Sequence, residues 1–125
     1  MPERVFSFDS SEIAVMKKVL EYDPYLDGSL SPEDLQKIKD DPEANIIFAR
    51  QDYVLKDGVS SSLNAKEYYL YIKSEDADFL ERAEKKLKAK VPSAKRASAD
   101  QEKKIVEIIN KERSEGEQGL GLIFG

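Results

Sequence analysis

The chain has 125 residues, 40% hydrophobic and 36% charged, with a net charge of −5 and no cysteine, histidine or tryptophan. One domain with a small core fits that length; disulfides, thiolate chemistry and the commonest general base and metal ligand are excluded. The acidic balance disfavours bulk nucleic-acid affinity, and no apolar run approaches the roughly 18 residues of a membrane span.

The charged start "MPERVFSF" has no signal-peptide pattern, so a cytoplasmic location is expected. A Lys/Glu-rich surface is compatible with an archaeal or thermophilic origin.

In chain order, "RVFSF" alternates as a short strand with Phe6 and Phe8 on one face. "DSSEIAVMKKVLEY" predicts a helix over about residues 10–22, capped by Asp9 or Ser10, with Ile13, Met16, Val19 and Leu20 as its apolar stripe. "SPEDLQKIKDD" predicts a second, short helix: Ser31 caps it, Pro32 takes its first position and acids fill its first turn. "ANIIFARQDYVLKD" reads as a strand, apolar on both parities at its start, which suggests a central strand or a bulge near residues 50–52. The polar loop "DGVSSSLNA" joins it to the strand "KEYYLYIKS", making a hairpin. "SEDADFLERAEKKLKAKV" is a third helix with Phe79, Leu80, Ala83 and Leu87 buried. A connector, "PSAKRAS", leads to a fourth, opened by a Ser98–Gln101 capping box and continued by Ile105, Ile108 and Ile109.

The order β-α-α-β-β-α-α predicts an α+β fold: a small antiparallel sheet of about three strands covered by about four helices. Residues 1–114 are expected to form one compact domain, and 115–125 a Gly-rich apolar C-terminal tail. Charge is segregated: residues 21–43 hold eight acids against two lysines, and residues 85–104 hold eight bases against two acids. Such asymmetry favours charge-steered partners or self-complementary packing.

Three stretches are candidate sites. "EYDPYLDGSLSPEDL" places Asp23, Asp27, Ser29 and Asp34 at loop positions 1, 5, 7 and 12, with the glycine and the apolar residue at 6 and 8. Over about residues 12–38 it resembles the EF-hand family, which would imply weak calcium binding. Tyr25 stands at position 3, where that family has an oxygen ligand. The same letters also spell a helix end, an Asp27-Gly28 turn and a helix start.

The hairpin is the second candidate. Tyr69 and Tyr71, on one side of its second strand, form a candidate contact face for another protein. With the basic 85–104 segment, Arg50, Tyr53, Lys73, Lys86, Lys95 and Arg96 would instead offer stacking and phosphate contacts to nucleic acid; packing of the tyrosines under helices explains the same pattern.

The tail is the third. Leu120, Leu122, Ile123 and Phe124 follow a polar, Gly-containing break, and four large apolar groups are expected to bury against the chain's own core or a partner. The ending "IFG" resembles the hydrophobic–aromatic–any terminus of proteasome activators, which implies docking between ring subunits.

No phosphate-binding loop, dinucleotide fingerprint or nucleophile–base spacing is present, so no cofactor, small-molecule substrate or catalysis is expected. The expected function is a non-enzymatic interaction or adaptor module that binds another protein or itself. Nucleic-acid association and weak calcium binding are the alternatives.

Overall fold

The computed structural model describes the backbone of residues 2–124 and the side chains of residues 2–115. The elements are β1 (Glu3–Asp9), α1 (Ile13–Glu21), α2 (Pro32–Asp40), β2 (Asp52–Asp57), β3 (Glu67–Lys73), α3 (Ala77–Lys90), β4 (Lys95–Arg96) and α4 (Ala99–Phe124). The fold is α+β, with one antiparallel sheet in the order β2-β3-β1-β4.

Local chemistry sets the element boundaries. Asp9 accepts from the Ser11 amide and opens a 3₁₀ turn into α1. Ser31 and Asp34 form a reciprocal capping box behind Pro32 at the start of α2. Asp76 caps α3, and Ser98 and Gln101 exchange bonds at the start of α4. Each satisfies amides that the first helical turn leaves without partners.

The N-terminal strand lies inside the sheet. β1 pairs along its whole length with β3, Phe6 opposite Leu70, and the two-residue β4 covers part of its other edge at Phe6 and Ser7. Beyond β4, the Val5 amide donates to Glu102 on α4 at 3.2 Å, and the Val5 carbonyl accepts from Ala97. A side chain and a connector thus finish an edge that would otherwise be an open template for pairing.

Alternation along β1 and β3 sends side chains to two separate cores. Phe6, Phe8, Leu70 and Ile72 meet Met16 and Leu20 of α1, Leu80, Ala83 and Leu87 of α3, and Ile46 and Phe48 of the connector before β2. Val5, Tyr69 and Tyr71 meet Ile105 and Ile109 of α4 on the opposite face. The sheet is therefore the middle layer of three, covered on both faces.

Two expectations need correction. The strand read over 44–57 begins only at Asp52: residues 48–50 form a 3₁₀ turn, and the apolar run Ile46–Phe48 is buried as an irregular plug. Burial from several sides, rather than a central strand, explains apolar residues on both parities. The connector "PSAKRAS" also contains a fourth strand, β4, too short to leave a periodic signal.

Candidate functional site

A groove of about 400 Å³ lies between α1, α2, α3 and the connector before β2, lined by Lys18, Val19, Tyr22, Pro24, Ile38, Ala44, Ile46, Lys86 and Lys90. The geometry of α1 creates it. Met16 and Leu20 turn into the core, while Val15, Val19 and Tyr22 fall at i, i+4 and i+7 on an adjoining stripe. α2 buries no residue completely and leaves that second stripe uncovered: Val15 and Tyr22 are 44% and 48% exposed. The groove has an apolar floor in Val19, Pro24, Ile38 and Ile46.

Its rim is cationic. Lys18 and Lys90 are exposed, while Lys86 is half-buried, donates to the Ile46 carbonyl at 2.8 Å and lies 5.9 Å from the centre of the Phe48 ring. Among the described residues, none of these three lysines has a carboxylate within 4.0 Å. Burial, and to a lesser degree the neighbouring Lys90 charge, lowers the pKa of Lys86, against an opposing pull from Asp41. Uncompensated positive charge beside an apolar wall favours an anionic group that brings its own apolar surface.

The calcium-like stretch is occupied by its own contacts. Asp23 caps the Tyr25 amide at 3.0 Å and pairs with Arg50 at 2.8 Å. Asp27 accepts from the Ser29 amide, the Ser29 hydroxyl and Tyr22 Oη, and these bonds hold its pKa below the ordinary carboxylate value. Asp34 is the carboxylate of the α2 capping box, its pKa lowered by Ser31. Among the described residues no three His, Cys, Asp or Glu side chains gather where they could hold a metal ion. The four candidate ligands Asp23, Asp27, Ser29 and Asp34 instead make the elbow between α1 and α2.

The hairpin face also needs correction. Tyr69 and Tyr71 are fully buried beneath α4, so neither offers an exposed contact surface. Tyr71 Oη donates to Glu3 at 2.6 Å, and the Tyr69 oxygen accepts from the Asn64 amide and Gln101. Burial raises the pKa of both phenols, and Glu3 adds to the shift at Tyr71.

The remaining basic candidates do not share one surface. Arg50 stacks 5.0 Å from the Tyr25 ring while paired with Asp23, and Tyr53 packs against the α1–α3 core. Lys73 lines a shallow polar depression with Gln51, Asp52, Ser74 and Glu75. Lys95 and Arg96 sit on β4, three strand positions (~14 Å) from β2, where Arg96 is 3.6 Å from Glu102. Of the six, only Lys86 belongs to the groove. The tail candidates Leu120, Leu122, Ile123 and Phe124 have side chains outside the described residues, although the α4 backbone is helical through Phe124.

Sequence reasoning missed Lys18, Val19, Tyr22 and Lys90 as a set. Their signal was present in α1, whose apolar residues span more of the helix than one buried face requires. Comparison with family models, with curated proteins and with solved structures finds no match. Among the described residues no helix is long and apolar enough to cross a membrane.

Proposed function

We propose that this protein is a non-enzymatic cytoplasmic binding module that captures an acidic, apolar-anchored protein segment in the α1–α2–α3 groove. One observation carries the reading: three lysines with no carboxylate partner among the described residues border an apolar floor in a chain whose net charge is −5. A protein this acidic overall repels acidic partners at long range, so a local cationic rim gives the groove an orientation-selective attraction. The exposed Val15 and Tyr22 extend the apolar surface beyond the groove, enough to take successive turns of an amphipathic helix. Lys86, anchored on the Ile46 carbonyl, supplies a fixed charge; Lys18 and Lys90 supply mobile ones.

The test uses two fluorescein-labelled amphipathic helical peptides that share a leucine face and carry either glutamate or lysine on the polar face. Fluorescence anisotropy should show the glutamate peptide binding at least about tenfold more tightly than the lysine peptide, a gap that closes with added salt. Lys18→Glu together with Lys90→Glu, both exposed, should reverse the preference without altering the fold. Equal binding of the two peptides, or indifference to those substitutions, would overturn the reading.

A further inference from the structure

We infer that the occupant of the groove is the C-terminal segment of a second copy of this chain, so that two copies exchange tails reciprocally. This rests on the groove reading above and names its partner. The segment 114–124, "SEGEQGLGLIF", has the required chemistry: two acids, Glu115 and Glu117, no base, and four large apolar residues. On a helix the i, i+3, i+4 spacing of Leu120, Ile123 and Phe124 forms one apolar stripe, and Glu117 precedes it by one turn. An acidic turn followed by an apolar stripe complements a lysine rim over an apolar floor.

The topology favours exchange between copies over docking within one. α4 packs against the Tyr69–Tyr71 face of the sheet, whereas the groove lies on the face that carries α1 and α3. Arg113 holds α4 to Asp52 at 2.8 Å, and eleven further residues of helical backbone follow, reaching about 16 Å. A continuous helix cannot turn back around the sheet to its own groove, but it can reach across a two-fold axis. Reciprocal exchange uses the same two surfaces on both copies and closes the assembly as a dimer.

The decisive experiment is sedimentation velocity on full-length protein with two double variants and their mixture. The wild type should sediment as a dimer. A tail variant, Leu120→Glu with Phe124→Glu, and a groove variant, Lys18→Glu with Lys90→Glu, should each be monomeric, with unchanged circular dichroism. An equimolar mixture of the two should associate again, at least about tenfold more weakly than wild type, because a mixed pair restores one intact tail–groove contact. Damage to folding cannot produce that complementation. A monomeric wild type at 100 µM (roughly the upper working range for association with micromolar Kd), a dimer indifferent to either variant, or a mixture that stays monomeric would each overturn the inference. The glutamate peptide separates this failure from failure of the groove reading. If the tail variant still binds it, only the tail assignment falls; if the tail variant does not, the groove reading falls as well.

Discussion

The two faces of the sheet solve the same packing problem differently. The α1–α3 face is thick and almost wholly apolar, with Phe6, Phe8, Met16, Leu20, Phe48, Leu70, Leu80 and Leu87 at or near zero exposure. The α4 face has a smaller cluster centred on two tyrosines and is stitched at its margins by polar contacts. There Tyr71 bonds Glu3, Arg113 pairs with Asp52 while lying 5.7 Å from the Tyr71 ring, and Lys56 bonds Glu112 at 2.6 Å. A helix with a narrow apolar contact is oriented by directional bonds; one on a broad core needs few. The thick face can therefore leave a groove open whose three lysines have no carboxylate partner among the described residues, while the thin face uses its charges to hold α4 in register.

The largest test of that contrast is truncation in the thick core. Leu20→Ala should cost about 3–4 kcal/mol in urea denaturation, since a fully buried leucine leaves a cavity that surrounding helices fill poorly. A loss below about 1 kcal/mol would mean that the α1 face is not the principal core.

Next in size is Tyr71→Phe, which keeps the ring and removes the bond to Glu3. It should cost about 2 kcal/mol, as expected for a hydrogen bond to a charged acceptor. The pH dependence gives a second readout. Because the folded-state pKa of Tyr71 is raised above the ordinary phenol value, its contribution is complete below about pH 10 and falls as pH rises further. Denaturation midpoints of the wild type should therefore decline on the alkaline side, and the phenylalanine variant should decline less steeply.

A smaller effect probes the groove's lid. Ser31→Ala removes half of the capping box, with an expected cost to α2 of about 1 kcal/mol. Since α2 buries no residue completely, amide hydrogen exchange should speed up across Pro32–Asp40 while α3 protection stays unchanged. Equal acceleration in both helices would show that α2 unfolds only with the core.

The smallest expected change is a gain. Ser7 is fully buried on the α4 face, and its hydroxyl has no hydrogen-bond partner among the described residues. Ser7→Ala should raise stability by about 0.5–1 kcal/mol, because it removes a desolvated group without a partner. A loss would point to a bound water at that hydroxyl.

Much of the architecture was legible because its signals are local. Helix starts near Asp9, Ser31 and Ser98 could be read from capping chemistry, and alternation in "KEYYLYIK" correctly put Leu70 and Ile72 opposite Tyr69 and Tyr71. Non-local facts were not legible. Nothing near residues 44–50 says that Ile46, Ile47 and Phe48 are buried as a plug, and two residues at 95–96 are too few to show a period. The calcium-like spacing is ambiguous by itself because helix-capping residues and metal ligands are the same oxygen-bearing types; the positions of Arg50, Ser29 and Ser31 show where the carboxylates are engaged. The groove, built from four separate segments, left only one trace in the sequence: the doubled apolar stripe of α1.

The interior place of β1 has a consequence for how the protein is made. Phe6 finds its cross-strand partner in Leu70, and the other edge of β1 waits for Lys95 and Arg96. At synthesis rates of roughly 5–20 residues per second, β1 is made about 3–13 s before β3 is complete. During that interval "RVFSF" is an exposed aromatic strand whose alternatives are collapse onto α1 or pairing with a neighbouring nascent chain. α1, following directly at Ile13, is placed to shelter Phe6 and Phe8 first, so that removing the Asp9 cap on the 3₁₀ turn that leads into it should lower soluble yield more than it lowers the stability of the finished fold.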